Sequence, residues 1–226
     1  MKKLTALLAA TALFGAAPAF AVTTIPVAPG TGNTANCFPF TCNFNGTYQQ
    51  VYASSAFTGP LTFDTLTFFA NQSFPGITNT GNYAISLYYS ANPVDGLSAT
   101  FANNRGALIG SLGSFALSGQ ALNGSSPLSF TGALINYNPS LGNLLLDVSA
   151  TTIVGGSSFM DAQSTADSIS RASIGTDTLG LVTRFSLTAA PAVPEPTTWM
   201  LMLIGMAGVG FSMRRKKDTT VRVHFA

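Results

Sequence analysis

The 226-residue sequence predicts an all-β fold: a two-sheet antiparallel β-sandwich, jelly-roll-like, set between an N-terminal signal peptide and one C-terminal transmembrane helix. Three observations carry this. Seven short apolar segments, at 48–57, 61–69, 83–90, 108–117, 144–152, 169–174 and 181–187, are separated by Gly, Pro, Asn and Ser, the residues of turns between strands. In the third segment Tyr83, Ile85, Leu87 and Tyr89 alternate with smaller residues, and a period of two puts all four on one face. Between Val22 and Val193 the only charges are Arg105, Arg171 and Arg184 against Asp64, Asp95, Asp147, Asp161, Asp167 and Asp177, a net of −3 with no lysine. No helical periodicity and no repeat of solenoid or propeller length appears in this body.

At the N-terminus, Lys2 and Lys3 precede an apolar run and then Pro18-Ala19-Phe20-Ala21. These are the three parts of a secretory signal peptide, residues 1–21, with cleavage after Ala21. Signal peptidase and the export machinery are therefore expected partners.

Residues 22–47 form a Pro/Gly/Thr-rich leader, read as flexible, that ends around Cys37 and Cys42. Export makes a small-loop disulfide between them the default, with free thiols the alternative. Two cysteines without a histidine do not complete a zinc site. So short a loop is expected to pin the N-terminal segment locally and contribute little to the rest.

Residues 48–190 are the β-sandwich domain, long enough to bury its own core. Within it Asn138-Pro139-Ser140-Leu141-Gly142 reads as a turn feeding a buried strand. Asp147 interrupts that strand and must face solvent or find a partner.

Residues 191–196 follow as a stem that Pro191, Pro194 and Pro196 keep extended. Residues 197–213 carry no charge and no polar face, and as a helix they would cover roughly 25 Å, at the short end of what spans a bilayer. Trp199 stands at the start of this span, where an indole favours the headgroup region. Arg214, Arg215, Lys216 and Lys217 stand at its exit and open a basic cytoplasmic tail, 214–226. By the positive-inside bias, everything before Pro194 lies outside the cytoplasm.

Pro194-Glu195-Pro196, a short gap, Trp199, a glycine-containing span and Arg214-Arg215 together resemble the PEP-CTERM sorting signal of exopolysaccharide-producing Gram-negative bacteria. The resemblance implies a substrate of an exosortase, an integral-membrane cysteine transpeptidase, with Pro194, Glu195 and Pro196 as recognition residues. The protein would be a membrane-anchored precursor and then part of the cell surface or extracellular matrix. The tail 218–226 departs from the pattern, since family members usually end sooner after the basic cluster. Residues 137–148, beginning Tyr137-Asn138-Pro139-Ser140, are similar to a Y-D/N-P-S-x-G-N-L-L-L-D-V segment of exported PEP-CTERM proteins of β-sandwich type. That second likeness supports the fold and implies no activity.

The single histidine, His224, falls in the tail, which excludes Ser-His-Asp, Cys-His and histidine-metal arrangements from the exported part. A pair of aspartates can do glycosidase chemistry, but nothing marks such a pair, and no glutamate occurs outside the sorting signal. The chain is expected not to be an enzyme and to need no cofactor. Asp161, Asp167 and Asp177 read as solvated loop aspartates without a calcium-loop pattern. Asn45-Gly46-Thr47, Asn71-Gln72-Ser73 and Asn123-Gly124-Ser125 read as chance glycosylation triplets. The basic pI belongs to the two ends and points to no nucleic acid.

Two classes of function follow. One is a non-catalytic surface or matrix component associated with exopolysaccharide; the other is a lectin-like glycan-binding module whose aromatic platform would use residues such as Tyr88 or Phe101.

Overall fold

The computed structural model describes residues 22–123, 126–165, 167–188 and 202–207. The chain divides into two units, Met1–Thr188 and Ala189–Ala226. Every strand among the described residues belongs to the first. The expected signal peptide, 1–21, lies outside the described residues.

The strands are β1 (Thr23–Ile25), β2 (Thr34–Asn36), β3 (Gly46–Tyr52), β4 (Leu61–Phe69), β5 (Gly76–Ile77), β6 (Asn79–Ser90), β7 (Arg105–Ser118), β8 (Ala121–Leu122), β9 (Pro127–Tyr137), β10 (Leu144–Gly155), β11 (Met160–Ser164), β12 (Ile169–Ala172), β13 (Thr176–Asp177), β14 (Leu179–Leu181) and β15 (Thr183–Ser186). They form a six-stranded sheet, β13-β12-β3-β10-β6-β7, and a four-stranded sheet, β1-β15-β4-β9, with the smaller ladders β14-β11-β2 and β5-β8 at the margins. Every ladder is antiparallel.

The pairing is nested. β6 pairs with β7, β4 with β9, β3 with β10 and β1 with β15, so the first half of the chain lies against the second like one long folded ribbon. Non-local pairing of this kind places residues more than a hundred positions apart side by side.

Alternation sets the core between the two large sheets. Tyr48 and Tyr52 of β3, Tyr83, Ile85 and Leu87 of β6, and Leu144, Leu146 and Val148 of β10 point inward from one sheet. Leu61, Phe63, Leu66 and Phe68 of β4, Phe130 of β9 and Phe185 of β15 meet them from the other. Aromatic rings dominate the contact: Phe185 lies edge-on to Tyr52, Phe57 and Phe63 at 5.2, 5.6 and 5.1 Å. The buried amide of Gln50 is satisfied as a backbone group would be. Its Nε2 donates to Leu181 O at 3.0 Å, and its Oε1 accepts from Leu181 N at 2.7 Å and from the Tyr48 hydroxyl at 2.6 Å. At the edge where the sheets approach, a Cβ on Gly132 of β9 would lie 1.9 Å from the Leu112 carbonyl oxygen of β7, so only glycine fits there.

The first half of β10, from Leu144 to Val148, is buried on both faces, which explains why it is apolar except at Asp147. Its outer face is covered by the 91–104 connection, whose short helical turns Val94–Gly96 and Phe101–Asn104 enclose a second core of Val51, Ala53, Val94, Leu97, Leu145 and Ala172. Asp147 meets Arg105 there. The turn before β10 forms over Pro139–Leu141, with the Asn138 side chain accepting from Ser140 N at 3.1 Å.

Two expectations are corrected here. The leader 22–47 is not a flexible lead-in: β1 pairs with β15 and β2 with β11, partners whose formation local composition does not foretell. The loop closed by the Cys37–Cys42 disulfide also does more than pin its own segment. It inserts Phe40, fully buried, among Phe68, Tyr83 and Phe130 at 4.8, 5.3 and 5.1 Å. The loop is held there by Asn79, whose backbone N–H donates to Phe40 O at 2.7 Å and whose Nδ2 donates to Pro39 O at 3.0 Å and Cys42 O at 2.8 Å.

Candidate functional site

Of the three aspartates read as solvated, the structure leaves Asp167 and Asp177 exposed and buries Asp161. Asp161 is 2% exposed rather than solvated, because it falls within β11 beneath the leader. Its carboxylate accepts from Gly30 N at 2.8 Å and from the Gly32 N–H. Burial raises its pKa above the ordinary 3.8, outweighing those two hydrogen bonds. Asp167 is exposed, and its N–H donates to Asp95 Oδ2 at 2.9 Å. Asp177 is ion-paired with Arg171 at 2.8 Å. Among the described residues no three His, Cys, Asp or Glu side chains gather as a metal site would require.

Asp64 is held the other way. Burial opposes its ionisation, but the N–H of Thr188 at 2.7 Å and the hydroxyls of Thr65 and Thr188 at 2.8 and 3.0 Å prevail and lower its pKa. It thereby ties the last residues of the first unit to β4.

Tyr88 and Phe101, named from sequence as an aromatic platform, do not form one. Both pack, half-buried, against the second core beneath the 91–104 connection, and Tyr88 also lies 5.9 Å from the Arg105 guanidinium. Their burial follows from the connection folding back over β10, which the local pattern does not reveal.

An exposed aromatic group is found elsewhere. After β4 the chain makes an Asx turn, with Ser73 N donating to Asn71 Oδ1 at 3.0 Å and Phe74 N to Asn71 O at 3.3 Å. Asn71 N is tied to Phe159 O at 2.8 Å, and the Ser158 hydroxyl donates to Phe74 O at 2.8 Å. The turn thus presents Phe74, 48% exposed, with its ring 5.0 Å from that of Phe159. Facing it across a cleft of about 500 Å³ are Gly32, Asn33, Thr34 and Ala35 of the leader. The leader wall is fixed by Asn33, which accepts from Ser164 N at 2.9 Å, donates to Ser164 O at 3.2 Å and receives Gln163 Oε1 on its own N–H at 3.0 Å. Sequence reasoning missed this site because its two walls and second ring come from three separate stretches.

Of the sorting residues, Pro194, Glu195, Pro196, Trp199, Arg214 and Arg215 lie outside the described residues, as do most of the expected span 197–213 and the tail. Residues 202–207 form a helix on which Met202, Leu203, Ile204 and Met206 are exposed. Among the described residues no helix is long and apolar enough to cross a membrane.

Comparison with known proteins finds no match among curated proteins or solved structures. One family model matches, described as the PEP-CTERM protein-sorting motif, over residues 192–216. That range begins four residues after the last described residue of the β-rich unit and contains the Pro-Glu-Pro triplet, Trp199 and both arginines. The chain therefore carries a PEP-CTERM protein-sorting motif, which implies an exported precursor processed by an exosortase.

Proposed function

We propose that the β-rich unit is a non-catalytic component of the cell surface or extracellular matrix of a Gram-negative bacterium. It is exported under the signal peptide 1–21, held by the helix 197–213 and processed by an exosortase at the 191–196 stem. The observation that carries the reading is the sorting motif at 192–216, placed directly after a unit whose last strand is already paired. The nested strand order supports a jelly-roll sandwich, with β1-β15-β4-β9 opposite β3-β10-β6-β7 and β12 and β13 added at one edge.

A second reading, a lectin-like module for exopolysaccharide, is favoured by one feature: Phe74 half-exposed beside Asn71, Ser73 and Asn33. Intact-mass analysis of the mature protein, with and without the exosortase, tests the main reading. A product starting at Val22 and ending near Pro194, formed only with the enzyme, is expected. A product still ending at Ala226 in both cases would overturn it. Glu195→Ala and Trp199→Ala are expected to leave the β-rich unit folded and to block processing.

A further inference from the structure

We propose that the cleft between the leader segment 32–35 and the 71–74 turn binds a neutral glycan, with one sugar ring seated on Phe74. This rests on the lectin-like reading and gives it a place and a ligand class. Three observations carry it. First, the ring of Phe74 is exposed without being loose: its carbonyl is held by Ser158, its N–H by Asn71, and its side chain rests on Phe159. An aromatic face fixed in this way suits the C–H face of a sugar ring. Among the described residues, the other exposed large apolar side chains of the unit, Val22, Ile77, Leu108, Leu134, Leu141, Val154 and Ile174, are aliphatic and offer no such face.

Second, Asn33, Thr34, Asn71 and Ser73 bring amides and hydroxyls to the same cleft, the groups that pair with sugar hydroxyls. Third, among the described residues no charged side chain lines it. A uronate or sulfate would enter without a counter-charge, while a neutral ring loses nothing. The volume, about 500 Å³, falls in the roughly 300–1,000 Å³ of small-molecule sites.

Asp161 acts on the cleft only through the leader. By holding Gly30 and Gly32 it fixes the chain that continues into the 32–35 wall, and so is a positioning residue.

The test is affinity electrophoresis of the full-length protein in detergent. The gels contain dextran, galactomannan, alginate, or the neutral and acidic polysaccharide fractions of the producing cell. Retardation is expected in at least one neutral gel and not in alginate. Phe74→Ala should weaken it about tenfold, from the loss of one stacking contact. Phe74→Trp should restore it, and Leu108→Ala and Ile174→Ala, at still more exposed apolar positions, should leave it unchanged. Asp161→Ala should weaken it while the melting transition stays cooperative. Neutral-gel retardation that survives Phe74→Ala would overturn the cleft and leave the lectin-like reading standing. Retardation only by acidic polymers would overturn the neutral class. No retardation in any gel would overturn both the cleft and the lectin-like reading.

Discussion

Arg105 grips Asp147 with two prongs, Nε to Oδ2 at 2.8 Å and an Nη to Oδ1 at 3.1 Å, on the covered face of the six-stranded sheet. The carboxylate side chain is only 7% exposed, and it also accepts from Gln49 Nε2. Gln49 Oε1 in turn accepts from Asn104 Nδ2 at 2.7 Å, so the pair anchors the end of the 91–104 connection. Arg105→Ala would strand a buried carboxylate and is expected to cost about 2–3 kcal/mol in urea unfolding. Asp147→Asn, which keeps a partner for Gln49 and removes the charge, should cost less. Equal costs for the two would mean that the pair is solvated.

Phe40 is the side chain through which the disulfide loop stabilises the core. Phe40→Ala leaves a ring-sized hole among Phe68, Tyr83 and Phe130 and should cost about 3–5 kcal/mol. Opening the short loop by the double substitution Cys37→Ser and Cys42→Ser should cost about 2 kcal/mol, the chain-entropy value for so few residues. Thermal melts of the two variants under oxidising conditions give the order directly. A larger loss from the cysteine variant would place the loop's contribution in its covalent closure.

Asp161 and Asp64 give stability opposite dependences on pH. Asp161 keeps its proton to higher pH in the folded chain than in the unfolded one, so its contribution declines as pH rises from about 3.8 through its raised native value. Asp64 has a lowered native value, so its contribution is full above 3.8 and is lost as pH falls through that lowered value. Melting temperatures followed between acid and neutral pH should show Asp161→Asn gaining on the parent as pH rises through the range above 3.8. The deficit of Asp64→Asn should shrink as pH falls below 3.8. Parallel curves would remove either group from the linkage.

Gly132→Ala should be destabilising by about 1–3 kcal/mol, since the new methyl would overlap the Leu112 carbonyl and push β9 from β7. Gly59, with nothing within 4 Å of an added Cβ, is the control: Gly59→Ala should be neutral or slightly stabilising. Urea midpoints of the two variants make the comparison.

What could be read from sequence was whatever repeats locally. The alternation in 83–90 placed Tyr83, Ile85 and Leu87 in the core, and 61–69 is a strand with the expected bounds. β9 falls in none of the seven apolar segments; it contains Pro127 and Gly132, residues that interrupt a local strand pattern, and in the fold Pro127 begins an edge strand while Gly132 serves a close approach. β2 and β11 are short and partly polar, and they exist because each pairs with a segment more than a hundred residues away. Separation along the chain also hid the burial of Asp161 beneath Gly30 and the meeting of Phe74 with Phe159. The sorting motif was legible for the opposite reason: it is a linear address, recognised by order along the chain and needing no fold to assemble it.

β1 runs against β15 with Thr23 opposite Phe185, so the residues just before β1 lie alongside those just after β15. The chain enters and leaves this unit at one edge. A short peptide joining Ser186 to Thr23 would close the unit into a ring, and new ends could then be cut in an exposed connection such as that around Gly59. Such a permutant would retain every ladder described above. It would also separate the fold from the sorting motif at 192–216, allowing the folded unit to be made and handled apart from sorting.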